Sequence, residues 1–116
     1  MPQDVGQEIR AAQRRIAAIK KRIAKLDLAS SGTLMTRTKT CGKKSCRCSV
    51  DPEARHGPYH EWNRREGGRL VHKTVSAEQA REAARAIANY RAIQQLLARW
   101  ERETVRIILA RRNRKT

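Results

Sequence analysis

The sequence predicts an α+β fold in which two long amphipathic helices, paired as an antiparallel coiled-coil-like hairpin, flank a small zinc-stabilised loop and a β-hairpin. Three observations predict it. Apolar residues recur at helical spacing near both ends of the chain. The centre is rich in β-branched residues and glycine turn signals. All three cysteines crowd into the stretch from Cys41 to Cys48. A chain of 116 residues is expected to form a single domain, 1–116.

The first helix is placed at residues 3–28. Ile9, Ala12, Ile16, Ile19, Ile23 and Leu26 alternate three- and four-residue steps, the a/d seam of a coiled coil, and charged residues fill the positions between. No proline or glycine interrupts Gln7 to Leu28. Gly32 is the expected left-handed residue beyond the helix end.

The last helix is placed at 76–112, followed by a basic tail at 113–116. Ser76 and Gln79 have capping-box spacing. Ala80, Ala83, Ile87, Tyr90, Leu97, Thr104 and Ile108 mark its expected apolar face, widened by Ile93, Leu96, Trp100 and Ile107. At 1.5 Å per residue this helix reaches about 50 Å, more than one small core covers. It therefore calls for a helical partner, either the first helix or a second copy of the chain.

Residues 33–75 form the expected head. Thr33 to Thr40 suits a strand, and Tyr59–Arg65 and Arg69–Val75 flank the turn signal Glu66-Gly67-Gly68. So little apolar material stands here that a metal or another staple is needed.

The staple is read from Cys41, Cys46 and Cys48. Gly42 permits a tight turn between Cys41 and Cys46, and Cys48 follows two positions later. Core packing is a poor account of cysteines whose neighbours are Lys, Arg and Ser. A redox pair leaves one cysteine over, and the Cys-x-x-Cys spacing is absent. Zn²⁺ takes four sulfur or nitrogen ligands in a tetrahedron, and four protein ligands make a closed, structural site. The fourth ligand is placed at His56, beside the Gly57-Pro58 turn, with His60 next in order and His72 third. Lys43, Lys44, Arg47 and Arg55 offset the charge of a Cys3His set and favour thiolates.

Cys41-Gly42-Lys43-Lys44-Ser45-Cys46-Arg47-Cys48 and the following His56-Gly57-Pro58-Tyr59 resemble the signature of an uncharacterised prokaryotic family of short proteins, a domain of unknown function. Its pattern is Cys-Gly-x-x-x-Cys-x-Cys, then His-Gly-Pro-Tyr, a Gly-rich hairpin and a long C-terminal helix. The resemblance implies the same architecture and, through family members encoded near mobile genetic elements, a nucleic-acid setting.

Charge points to the same class of partner. Twenty-seven Lys and Arg against 11 Asp and Glu give a net charge of +16, and the excess runs through both helices and the head. Such self-repulsion makes sense beside a polyanion. Lys43, Lys44, Arg47, Arg55, Arg64, Arg65, Arg69 and Lys73 are the expected phosphate contacts on DNA or RNA. Trp62 is a candidate for base stacking, and Tyr59 is read as a cover for the zinc loop. Arg111, Arg112, Arg114 and Lys115 add non-specific contact. The alternative is a coiled-coil assembly or adaptor protein with a zinc-capped head, and a homodimer through the helices fits either reading.

No enzyme is expected. There is no phosphate loop, and Glu61 and Glu66 read as strand and turn residues, not as a carboxylate pair. No run approaches the roughly 20 apolar residues of a membrane span, and no signal-type stretch is visible, so a cytoplasmic location is expected.

Overall fold

The computed structural model describes residues 4–111. The predicted tail at 113–116, with Arg112, Arg114 and Lys115, lies outside them. Helix α1 runs Val5–Ala24, strand β1 Thr33–Lys39, β2 His56–Glu66, β3 Arg69–Val75 and helix α2 Ala77–Arg111. The α+β class and the order of elements are those expected. No helix among the described residues is long and apolar enough to cross a membrane. Two compact units emerge, one joining the stretch up to Asp27 to the stretch from Asn89 onward, the other spanning Leu28–Ala88.

In the first unit, α1 starts where the Asp4 carboxylate accepts the Gly6 N–H at 3.3 Å. Glu8 in its first turn and Lys21 and Arg22 in its last complement the helix dipole. Ile9, Ala12 and Ile19 are buried and Ile16, Ile23 and Leu26 half-buried, so the six residues of the predicted seam form the covered stripe. The helix ends four residues before the predicted Leu28. Lys25 caps it by donating to the Arg22 carbonyl, and Asp27 is engaged instead by the Asn89 side chain at 3.4 Å.

The second part of α2 turns Leu96 and Glu103 inward, with Asn89, Ile93, Trp100 and Ile107 half-buried beside them. The expected face is corrected here, because Tyr90, Leu97 and Ile108 are exposed. The covered row passes through Asn89, Leu96 and Glu103, one position earlier at each heptad. Side-chain bridges to α1 and to the residues just after it follow this row in opposite chain order. Arg15 Nε meets Glu103 at 3.0 Å, the Lys20 ammonium lies 5.9 Å from the Trp100 ring centroid, and Asn89 reaches Asp27.

Glu103 also receives Arg106, at 3.0 and 3.1 Å. Burial pushes its carboxyl up, but the Arg15 hydrogen bond and the two guanidinium charges outweigh burial and hold it below the usual value. A depressed folded-state pKa contributes stability above the unfolded pKa and loses it as pH falls through the folded one. Glu103→Gln is therefore expected to cost about 1–2 kcal/mol at pH 7, discounted for the half-exposed arginines. Urea unfolding should show this deficit shrinking as pH falls below about 4.

In the second unit the strands form one antiparallel sheet of order β1-β2-β3. Leu34 pairs with Trp62 and Trp62 with Lys73, which fixes the register on both sides of the central strand. Gly67 and Gly68, with φ of 57° and 80°, close the predicted hairpin in the two-residue form that matches strand twist. Ser76 and Gln79 exchange the reciprocal bonds of a capping box at 2.9 and 3.0 Å, setting the start of α2 directly after β3.

Strand alternation gives the sheet two distinct faces. Leu34, Trp62, Val71 and Val75 share one face and are half-buried. Trp62 and Val75 join Leu28, Ala83 and Ala86 around a cavity of about 350 Å³. The other face carries Met35, Arg37, Tyr59, Glu61, Asn63, Arg65, Leu70 and His72. Gly32 does not cap a helix. It precedes β1 with φ 127°, and a Cβ there would lie 2.5 Å from the Asn63 carbonyl oxygen and 2.8 Å from Trp62 Nε1.

Candidate metal centre

The connection from β1 to β2 holds the cysteines. Pairing of Lys39 with His56 across the two strands closes its base. Cys41 therefore leaves the sheet beside the histidine that starts β2. Gly42, at φ 81°, turns the chain, and Cys46 N–H donates back to the Lys43 carbonyl at 3.1 Å. A single 3₁₀ turn at Arg47–Ser49 then points Cys48 inward. Ser49 locks this turn, its Oγ donating to the Cys46 carbonyl at 2.8 Å. A second 3₁₀ turn, Pro52–Ala54, is capped by Asp51, which accepts Glu53 N–H at 3.0 Å and pairs with Arg47 at 3.0 Å.

These local bonds gather Cys41, Cys46, Cys48 and His56, whose ligand atoms all lie within 4.8 Å of one another. Cys41 Sγ and Cys48 Sγ are 3.6 Å apart, and Cys46 Sγ is 3.4 Å from His56 Nε2. Zinc–ligand bonds of about 2.3 Å to sulfur and about 2.0 Å to nitrogen give tetrahedral edges of about 3.8 Å and about 3.5 Å. The donor set and its spacing thus fit a tetrahedral ion such as zinc. Cys48 is buried and Cys46 half-buried, while Cys41 and His56 reach the surface.

The thiols are held in unequal states. The Cys48 backbone N–H, then bonds with the Cys48 and Cys41 side chains, draw the Cys46 thiol below its usual value. At Cys48 the Cys41 N–H, 3.4 Å from Sγ, favours thiolate, but burial and the neighbouring thiols prevail and raise it. A cation at the centre would supply the positive charge that favours three adjacent thiolates.

His60 and His72 stand outside the group. His60 pairs across the sheet with Thr36 and Val75, and the His72 ring bonds the Asn63 amide. Glu61 is tied to Arg37 at 3.3 Å and Glu66 to Arg64 at 2.8 Å.

The predicted basic residues do not share one surface. Lys43, Lys44, Arg47 and Arg55 are exposed on the metal loop. Arg64, Arg69 and Lys73 project to the face that carries Trp62, while Arg65 projects to the opposite one. Trp62 is half-buried. The Arg64 guanidinium lies 4.9 Å from its ring centroid, its Nε1 is buried, and the residue is one of those that line the cavity. Tyr59 stays 38% exposed on the opposite face. Arg37 and Lys39 escaped the sequence reading. Period-two alternation from Thr33 would have placed Arg37 on the face opposite Leu34, but its pairing with Tyr59 depends on register.

Residues 9–85 match the model of a family described as a domain of unknown function (DUF6788). No curated protein and no solved structure matches the chain.

Proposed function

The chain belongs to this family, domain of unknown function DUF6788, and we propose that it is a nucleic-acid-binding protein whose binding loop is held rigid by a structural zinc ion. Three sulfurs and one imidazole suit zinc, and four protein donors leave no open position for a reacting water, so the ion's role is structural and the protein binds without catalysing. One observation carries the binding reading. Lys43, Lys44 and Arg55 stand exposed on the cysteine loop, and among the described residues none is paired with a carboxylate. A closed metal site fixes the loop backbone, which lowers the entropy lost when these long side chains meet phosphates.

Replacing Lys43, Lys44 and Arg55 together with alanine tests this reading. Metal content and helicity should be retained. Binding should weaken across unrelated sequences, and the slope of log K against log salt should fall by about 0.9 per lost duplex contact, or about 0.7 for a single strand. A folded triple variant with the parent's affinity and slope would remove the loop from the binding surface.

A second reading, assembly through the helices, draws on Tyr90, Leu97, Val105, Ile108 and Leu109, all exposed on α2. It extends the side-chain bridges of the first unit to an antiparallel coiled-coil-like hairpin and a second copy of the chain. The two readings part on salt: phosphate binding falls steeply as salt rises, whereas an apolar helical interface does not.

A further inference from the structure

Resting on that binding reading, we infer that the partner is a single-stranded nucleic acid lying across the open face of the sheet, with one base stacked on Tyr59. The two sheet faces differ in kind. Trp62, Val71 and Val75 are partly covered on one, whereas Met35, Arg37, Tyr59, Leu70 and His72 are exposed on the other. An exposed sheet face with a ring, methylene surface and cations is not built to stay in water alone.

Its charge selects the occupant. Arg37 and Arg65 project from this face, and Lys39 lies beside it with Nζ 5.5 Å from the Tyr59 ring centroid. The acid on this face, Glu61, is already tied to Arg37. Lys39 is an exposed, flexible side chain, able to leave the ring for a phosphate as a base takes its place. At the far end, the single described bond of Arg65 is to the Gly68 carbonyl at 3.4 Å. From Tyr59 to Arg65 the strand extends about 20 Å, room for a few nucleotides.

The centre of the face offers a hydrogen-bonding edge. Asn63 Nδ2 donates to Met35 Sδ, which orients its carbonyl oxygen toward His72 Nδ1. His72 Nδ1 therefore carries the proton in the neutral ring, leaving Nε2 as an acceptor for a base amino group.

Shape favours a single strand over a duplex. Three strands span about 10 Å between their outer backbones before side chains are added, broader than the two-stranded ribbon that fits a major groove about 12 Å wide. A ring lying on a sheet meets a base only when that base is unstacked from its own neighbours. The metal centre adjoins this ring. His56 is three residues before Tyr59, and at the intervening Gly57 a Cβ would come within 3.2 Å of Tyr59 Cδ2.

Fluorescence anisotropy with a labelled single-stranded DNA oligonucleotide, its RNA counterpart and the matching DNA duplex tests the inference at low salt. The parent should prefer a single strand. Tyr59→Ala should weaken that binding by about 10-fold, the size of one lost base stack, while Tyr59→Phe retains it. Duplex binding should be unmoved by either change. A Tyr59→Ala protein with full metal content and parental single-strand affinity would overturn the inference, as would a parent that prefers duplex. The loop reading survives both outcomes if the Lys43, Lys44 and Arg55 variant still loses affinity; a parent that binds no oligonucleotide ends both. Should Tyr59→Ala fail to hold metal, Arg65→Glu carries the test at the other end of the face. Weakened single-strand binding supports the inference, and unchanged binding refutes it.

Discussion

Purified without chelator, the protein is expected to contain about one zinc per chain, and Cys48→Ser to reduce this to near zero. The effect should be large because the loop between β1 and β2 has little else to hold it. Cys48 is its one buried side chain, and the backbone bonds there are isolated turns. In small metal-stapled folds the ion contributes about 10–16 kcal/mol, far more than those turns supply. Amide exchange should show the loop losing protection in Cys48→Ser. Far-ultraviolet circular dichroism should change little, since helices of 20 and 35 residues carry most of that signal. His56→Ala should weaken zinc binding, and His60→Ala should leave it near the parent value, because His60 Cα sits opposite Thr36 and Val75, outside the ligand group. Stoichiometric zinc in Cys48→Ser, or metal-free parent protein with an equally protected loop, would refute this account.

Gly32→Ala is expected to be the most damaging single-methyl addition in the sheet unit, at about 2–4 kcal/mol. Two costs combine. With φ at 127°, Gly32 adopts a backbone conformation that side chains disfavour, and the added Cβ would stand 2.5 Å from the Asn63 carbonyl oxygen. The second obstacle is Trp62 Nε1 at 2.8 Å, a buried atom of a ring whose centroid lies 4.9 Å from the Arg64 guanidinium. Gly67→Ala is the internal comparison. Its φ is also positive, at 57°, but no atom lies within 4 Å of the added methyl, so about 1 kcal/mol is expected. Thermal unfolding followed by tryptophan fluorescence should separate the two variants by several degrees. Equal melting temperatures would mean that the sheet yields around Gly32 at no cost.

Local patterns were sufficient wherever one segment supplied its own explanation. The α1 stripe, the Gly67-Gly68 hairpin and the Ser76–Gln79 capping box each depend on residues a few positions apart, and spacing alone locates them. The cysteines announced themselves by type and proximity, and His56 by its place before a Gly-Pro turn. The α2 face was misread because two positions in its covered row are polar. Asn89 and Glu103 look like solvent residues in sequence, and partners distant in the chain, Asp27 and Arg15, help make their burial tolerable.

Taken alone, then, the sequence determined the element order, the three cysteines of the candidate metal centre and the strongly cationic character, since periodicity, residue type and charge are properties of short segments or of composition; the fold selected His56 from the three histidines as the one beside them. Tertiary structure decided which cations share a surface, why Gly32 is glycine, and which aromatic stays open. Those depend on strand register: a one-residue shift in pairing exchanges the two faces of a strand. Trp62 and Tyr59 stand three residues apart on β2 and so project to opposite faces. Trp62 is half-buried beside the cavity that Val75, Ala83 and Ala86 also line, whereas Tyr59 stays exposed near the cysteine loop.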